Sequence, residues 1–229
     1  MSLFTLYGIN GVGKDTIASY IKEKYPEINI TSMSRLYMYI LGITNTYDTS
    51  ENVNENQYKV LESVPQEKMI RIENNEYKNI IIDISNMSKD TIFLGHLISV
   101  LRLGDKINYL TNRKTPNWFI DANKEITEVL LPYDVIADRR KQDDQRKRSI
   151  LYDDIKFHQE LCNKEWERIK NLNPTNENKM HYIENLNITE SVSDFENIIL
   201  GTNYDYIKKN DNKLTKKYLL KWGILWKKR

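Results

Sequence analysis

The sequence predicts an α/β fold in which five parallel strands form one sheet with helices on both faces. Apolar runs of strand length alternate five times with stretches of helical periodicity, which is the order of a doubly wound sheet. A glycine-rich turn joins the first apolar run to the first helical stretch. A later run contains three consecutive isoleucines, which is typical of a central strand covered on both faces.

Each strand and helix is predicted from such a pattern. The predicted strands are Leu3–Leu6, Ile28–Thr31, Lys78–Ser85, Trp118–Ala122 and His181–Ile183. The predicted helices are 14–24, 36–43, 58–73 with an interruption at Pro65, 86–103, 124–129, 153–170 and 192–199. Residues 44–57 are polar and without periodicity, so we expect a loop there.

The composition favours one globular domain, residues 1–200, followed by a basic tail, residues 201–229. A chain of 229 residues with 40% hydrophobic residues can bury one well-formed core. The tail has nine Lys/Arg and two Asp, hence a charge of +7; because the whole chain is +2, residues 1–200 carry −5. A general nucleic-acid-binding protein would be basic over its main domain, so this class is disfavoured for residues 1–200.

The single cysteine, Cys162, excludes an intramolecular disulfide framework. No apolar run approaches the ~20 residues that a membrane helix needs, and the first residues have no signal-peptide pattern. We therefore expect a cytoplasmic protein without a membrane span.

The tail alternates basic residues with aromatic and aliphatic ones between Lys216 and Trp226. One interpretation is a helix that packs its aromatic residues on the domain. The other is a contact for nucleic acid, an anionic surface or a protein partner, in which basic residues meet phosphate and tryptophan stacks.

The most specific motif follows the first predicted strand and runs from Gly8 to Gly13-Lys14. A glycine, four residues and then Gly-Lys match the phosphate-binding P-loop, in which glycines let backbone N–H groups converge on an anion. The next helix adds its dipole and free N–H groups, and the lysine adds positive charge. An ordinary glycine-rich turn is the alternative, and it leaves the lysine unexplained. The residues expected to bind ATP are Gly8, Asn10, Gly11, Val12, Gly13, Lys14, Asp15 and Thr16.

The metal ligands are predicted from the same loop and from one strand end. In the P-loop template a Ser or Thr hydroxyl after the lysine ligates Mg²⁺, whereas here Asp15 follows Lys14 and Thr16 comes next. Asp83 would end the isoleucine-rich strand, at the edge where open α/β sheets place their chemistry. We therefore expect Asp15, Thr16 and Asp83 around Mg²⁺, with Asp83 also catalytic and near the acceptor. The alternative is that Asp83 only caps a turn.

Taken together, these motifs resemble the nucleoside monophosphate kinase branch of the P-loop kinases, with archaeal-type adenylate kinases the nearest pattern. The similar segments are Gly8–Thr16, Ile80–Asp83 followed by Asn86-Met87-Ser88, the arginine-rich run 139–148, and His158-Gln159-Glu160. The Gly-Lys-Asp-Thr variant is similar to bacteriophage deoxynucleotide monophosphate kinases. The resemblance implies Mg-ATP as phosphoryl donor and a lid at about 138–150. The polar segment 44–57 departs from the family's pattern, and we expect an acceptor-binding flap there.

Arginines are the expected phosphate contacts. Arg35 lies where the resemblance places an acceptor phosphate, although a solvated arginine at a helix start is equally consistent with the sequence. The run 138–148 is either a solvated helix face or a lid whose arginines stabilise the γ-phosphoryl charge. Within this run, Arg139, Arg140 and Arg146 are predicted to be catalytic, and Arg148 is a further candidate. Lys14 and Asp83, elsewhere in the chain, are the other predicted catalytic residues.

Three functions are compatible with these residues. The first is transfer of a phosphoryl group from ATP to a nucleoside or deoxynucleoside monophosphate. The second is a polynucleotide 5′-end kinase, motivated by the basic aromatic tail. The third is a nucleotide-binding regulatory module that hydrolyses ATP slowly and acts through a partner.

Overall fold

The computed structural model describes residues 2–49, 53–87, 89–95, 100–103, 106–109, 115–143 and 149–201. The strands are β1 (Leu3–Tyr7), β2 (Asn29–Ser32), β3 (Thr91–Gly95), β4 (Val100–Leu103), β5 (Lys106–Tyr109), β6 (Asn123–Leu130) and β7 (Met180–Glu184). The helices are α1 (Lys14–Lys24), α2 (Met33–Ile40), α3 (Glu55–Glu62), α4 (Gln66–Ile72), α5 (Lys78–Asn86), α6 (Asn117–Ala122), α7 (Tyr133–Lys141), α8 (Tyr152–Leu172) and α9 (Ile188–Leu200). A π-helical turn, Glu73–Tyr77, joins α4 to α5, and a 3₁₀ turn, Pro174–Lys179, precedes β7.

Five strands form one parallel sheet in the order β2-β3-β1-β6-β7, which confirms the predicted fold class. β4 and β5 form a separate antiparallel pair. Right-handed crossovers place α1 and α9 on one face of the sheet and α5, α6 and α8 on the other. Contacts agree with this: Tyr7 packs on Phe119 of α6, and Tyr182 packs on Trp166 of α8. Both faces are therefore covered, and the carboxyl ends of all five strands share one edge.

Several predicted elements are confirmed with small shifts at their ends. These are β1, α1, β2, α2, the pair α3 and α4 separated at Pro65, α8, β7 and α9. Their patterns are local: α1, for example, buries Ile17 and Ile21 at helical spacing and ends before Pro26.

Two strand predictions were wrong, and the adjacent helix predictions were wrong with them. Residues 78–86 form α5, and the third strand is Thr91–Gly95, inside the segment predicted as helix 86–103. Likewise 117–122 is α6, and the strand 123–130 occupies the segment predicted as helix 124–129. A short apolar run does not distinguish a strand from a buried helix by its periodicity, and α5 continues the helical course of α4 and the π-turn.

Other predictions lie partly outside the described residues. Part of the predicted flap is described: Asp48 bridges to Thr31 of β2, and α3 begins at Glu55. Within the lid segment only 138–143 and 149–150 are described, and of the tail only residue 201. In the described part of the chain, the helices fall short of the length and apolarity needed to cross a membrane.

Candidate phosphate-binding site

The glycine-rich loop leaves β1 at the carboxyl edge of the sheet and closes over the N-terminus of α1. Gly8 and Gly13 adopt φ values of 147° and 95°, in the region that favours glycine. A Cβ on Gly8 would stand 2.7 Å from the carbonyl oxygen of Val129, so the loop passes directly over the end of β6. The backbone can take this path only because Gly8 lacks a side chain.

Lys14 lies at the centre of the loop. It is 6% exposed, and its Nζ donates to the carbonyl oxygens of Gly8 at 2.7 Å and Ile9 at 3.3 Å. Gly13 is the N-cap of α1 and has no side chain to bind the first-turn amides. The N–H groups of the first turn, which have no partner within the helix ladder, and the ammonium group of Lys14 therefore concentrate positive potential at one end of α1.

Asp15 and Thr16 are exposed on the first turn of α1, beside Lys14. Their carboxylate and hydroxyl oxygens are the kind of ligand that Mg²⁺ takes alongside phosphate oxygens and water. Among the described residues, no group of three or more His, Cys, Asp or Glu side chains is arranged to hold a metal. A metal here would depend on ligand phosphates for most of its coordination, which fits Mg²⁺ in a nucleotide complex.

The outer side of the loop is held by side chains that come from two other connections. Arg139 of α7 donates from one terminal nitrogen to the Val12 carbonyl at 3.2 Å and from the other to the Asn185 carbonyl at 3.3 Å. Asn185, the first residue after β7, donates its Nδ2 to the Val12 carbonyl at 2.7 Å. Partial burial lowers the pKa of Arg139, but the guanidinium stays charged at neutral pH.

Arg140 also contacts the loop, but it is buried. It is 7% exposed, and it donates from Nε to the Asn10 carbonyl at 2.9 Å and from a terminal nitrogen to the Ser149 carbonyl at 2.8 Å. The structure thus brings both predicted arginines of α7 to the loop. Arg146 lies outside the described residues, so its role stays a prediction.

Arg35 is buried at the start of α2, directly beyond the carboxyl end of β2. Its backbone N–H donates to the side chain of Ser32, the N-cap of α2, at 3.3 Å. One strand, β3, separates β2 from β1, so Arg35 and the loop lie at the same sheet edge on strands roughly 10 Å apart. A charged side chain buried here argues against the solvated interpretation.

Asp83 does not lie where the sequence placed it. It is exposed on α5, and the strand whose end it was expected to occupy is a helix. Asp83 contributes to the raised pKa of Tyr47. Burial is the largest cause of that increase, and the negative charges of Tyr39, Asp48 and Asp83 add smaller contributions. The third strand along the chain is instead β3, which pairs with β1 and whose last two residues are Leu94 and Gly95. The prediction of a carboxylate at this strand end was therefore wrong.

Sequence reasoning missed two polar residues near the loop. Asn185 follows the predicted strand His181–Ile183 at the sheet edge, and this position alone was a reason to consider it. Glu128 lies on β6 beside Tyr7 of β1 and is fully buried, with Nε2 of Gln159 donating to its Oε1 at 2.8 Å. Burial raises the pKa of Glu128 to about 7. No sequence pattern marked it, because its segment was predicted as a helix.

Comparison with solved structures supports the same architecture. The shikimate kinase of Aquifex aeolicus vf5 superposes with a TM-score of 0.53 at 15% identity, over 87% of this chain and 96% of that one. The shikimate kinase of Bacteroides thetaiotaomicron gives a TM-score of 0.50 at 12% identity, over 86% and 98%. No protein-family model and no curated protein matches the sequence. At these identities the likeness extends to the fold alone: this chain shares the α/β architecture of these two structures.

Proposed function

We propose that this protein is an ATP-dependent phosphotransferase, and specifically a nucleoside or deoxynucleoside monophosphate kinase. The observation that carries the proposal is the position of Lys14, which is buried over the glycine loop at the uncapped N-terminus of α1. This arrangement provides a lysine ammonium and several backbone N–H groups for one polyphosphate. Transfer of a phosphoryl group requires positioning and charge stabilisation more than covalent chemistry from the protein.

On the donor side, the ammonium group of Lys14 gives up its hydrogen bonds to the loop carbonyl oxygens and binds the β- and γ-phosphate oxygens of ATP. The loop amides bind the same phosphates, and Arg139 adds positive charge from the α7 side. Asp15 and Thr16 are the residues of this chain that would hold Mg²⁺, which neutralises charge on the β- and γ-phosphates when it is bound. Asp83 is exposed on α5, so we assign it no role here.

On the acceptor side, Arg35 supports an anionic substrate. Its guanidinium is buried at the sheet edge that also carries the P-loop, and the bidentate geometry of arginine suits a phosphate. A nucleoside monophosphate bound by this residue would present its phosphate to the γ-phosphoryl group of ATP. The role of arginine is to fix the acceptor for attack, which lowers the entropic part of the barrier.

A second candidate acceptor follows from the comparisons. Both similar structures are shikimate kinases by name, so a small non-nucleotide metabolite with an acidic group is the alternative. Arginine binds a carboxylate as readily as a phosphate, and Arg35 is compatible with either. The choice between the two classes depends on direct assay.

The test is an ATP-consumption screen of the full chain against ribo- and deoxynucleoside monophosphates, shikimate, a 5′-hydroxyl oligonucleotide and no acceptor. We expect turnover with one or a few monophosphates and a loss of roughly 100-fold or more in Lys14→Ala. Lys22→Ala is the matched control, because Lys22 is on the same helix and donates to the Pro26 and Ile28 carbonyls, away from the loop.

Each other outcome has a definite meaning. Turnover only with shikimate or only with the oligonucleotide would replace the nucleotide acceptor and keep the kinase. ATP hydrolysis that no acceptor stimulates would overturn the kinase proposal and favour a regulatory ATPase.

A further inference from the structure

Asn185 lies in a position that connects the end of the sheet to the P-loop. It follows β7 directly, and its backbone N–H donates to the carbonyl oxygen of Leu130, at the end of β6, across 3.0 Å. Its side chain is 1% exposed. The backbone of Asn185 is therefore fixed by the sheet, and so is the point from which its side chain extends.

The side chain of Asn185 hydrogen-bonds to the loop through one of its two polar atoms. Its Nδ2 donates to the Val12 carbonyl at 2.7 Å, and its Oδ1 has no hydrogen-bond partner in the described part of the chain. The contact with Val12 is thus what orients the amide group. A Cβ at position 13 would stand 2.2 Å from this Nδ2, so Gly13 makes room for the asparagine as well as adopting a positive φ.

The Val12 carbonyl belongs to the same planar peptide unit as the N–H of Gly13. This peptide bond is trans, so its C=O and N–H groups point in opposite directions. Asn185 and Arg139 both donate to this one carbonyl and hold it towards α7 and the β7–α9 connection. The Gly13 N–H, on the opposite edge of the same peptide unit, is then directed away from Asn185 and Arg139.

Arg140 acts on a second peptide unit in the same way, since it donates to the Asn10 carbonyl and so fixes the N–H of Gly11. Two loop amides are therefore oriented from outside the loop before any ligand binds. Donors that are oriented in advance bind an anion without the cost of reorganisation.

We propose that Asn185 is a positioning residue that orients the Gly13 N–H towards bound phosphate. This inference rests on the proposed function, because it takes the loop to be the binding site for the donor phosphates. Asn185 acts through the loop backbone and not through the nucleotide base. Its removal should therefore weaken every ligand that carries the polyphosphate, with or without a base.

The experiment compares the affinity of wild type and Asn185→Ala for ATP and for inorganic tripolyphosphate, by calorimetry with Mg²⁺ present. We expect both dissociation constants to rise by the same factor, about tenfold, as for loss of one oriented donor. The KM for ATP should rise alongside, whereas the KM for the acceptor should not change. Asn187→Ala is the matched control: Asn187 caps α9 two residues later and should alter the melting temperature only.

The outcomes separate the inference from the proposed function. Wild type that binds neither ATP nor tripolyphosphate would overturn both. Wild type that binds both ligands, with an Asn185→Ala variant that binds them equally well, would overturn the inference alone. A loss confined to ATP would also overturn it, because it would indicate a contact with the base. If Asn185→Ala does not fold, Asn185→Ser replaces it, since serine is one bond too short to reach the Val12 carbonyl.

Discussion

Arg140 donates from Nε to the carbonyl oxygen of Asn10 across 2.9 Å, and this hydrogen bond connects α7 to the glycine-rich loop. The same guanidinium reaches the Ser149 carbonyl at 2.8 Å, on the far side of the arginine-rich segment. Arg140 was expected to stabilise the transferred phosphoryl group directly. Its burial and its carbonyl partners favour a structural role instead, in which it holds the loop in shape.

We predict that Arg140→Lys destabilises the fold and weakens ADP binding. Lysine has a single nitrogen and cannot reach both carbonyls, so one of two partly buried acceptors loses its donor, at a cost of about 1 kcal/mol or more. Thermal and urea unfolding, with and without ADP, measure both effects. Lys141→Ala on the same helix is the control, since its ion pair with Asp138 is exposed. Stability equal to that of wild type would show that the two contacts do not contribute.

We predict that Asp83→Asn leaves catalysis unchanged, with kcat and both KM values within about twofold of wild type. The side chain is exposed on α5. This element is a helix, so Asp83 is not at the carboxyl end of a strand, where the loop lies. Activity measured as a function of Mg²⁺ concentration is the sharpest readout. In contrast, Thr16→Ala should raise the Mg²⁺ concentration needed for half-maximal activity. If the Asp83→Asn variant needed more Mg²⁺ than wild type for half-maximal activity, Asp83 would have to be counted among the Mg²⁺ ligands.

The sequence predicted the part of the site that depends on local patterns. The turn, the lysine and the helix from Lys14 to Lys24 are set by residues next to one another, so the P-loop could be found without a structure. Arg35 was singled out because it lies shortly after a correctly predicted strand, and its role in the acceptor site stays a prediction.

What the sequence could not predict depends on tertiary structure. The run Ile80–Ile82 is compatible with a strand or a buried helix, and only packing decides between them. β6 is a central strand that buries Thr127 and Glu128, and their polarity concealed it. The contact between Asn185 and Val12 joins residues 173 positions apart, a pairing that no local motif encodes.

We predict that Arg35→Lys raises the KM for the acceptor by about tenfold or more and leaves the dissociation constant for ATP unchanged. Lysine keeps the charge but loses the bidentate geometry that fits a phosphate or carboxylate. Steady-state kinetics with varied acceptor, together with direct ATP binding, separate the two sites. Arg71→Lys, at an exposed position on α4, controls for the loss of any arginine from this region. An unchanged acceptor KM would remove Arg35 from the acceptor site.

The last prediction concerns pH and the buried carboxyl group of Glu128. Burial raises its pKa from 4.5 to about 7, although the hydrogen bond from Gln159 acts in the opposite direction. In the described part of the chain, Oε2 of Glu128 has no hydrogen-bond partner that would compensate a charge there. The unfolded chain releases this proton at a lower pH than the folded chain does. The free energy of unfolding is therefore highest below pH 4.5 as far as this group is concerned, falls as the pH rises to about 7, and then levels off.

The full loss corresponds to about 3 kcal/mol, as an order of magnitude. Glu128→Gln keeps the shape of the side chain and removes the ionisation, so the variant should lose less stability than wild type between pH 5 and pH 8. Urea unfolding at several pH values measures this difference. Histidines also titrate in this range, but both proteins contain the same ones, so the difference between the two curves is due to residue 128. Glu23→Gln, at an exposed position on α1, should follow the wild-type curve. Parallel pH curves for Glu128→Gln and wild type would mean that Glu128 is ionised in the folded protein without cost.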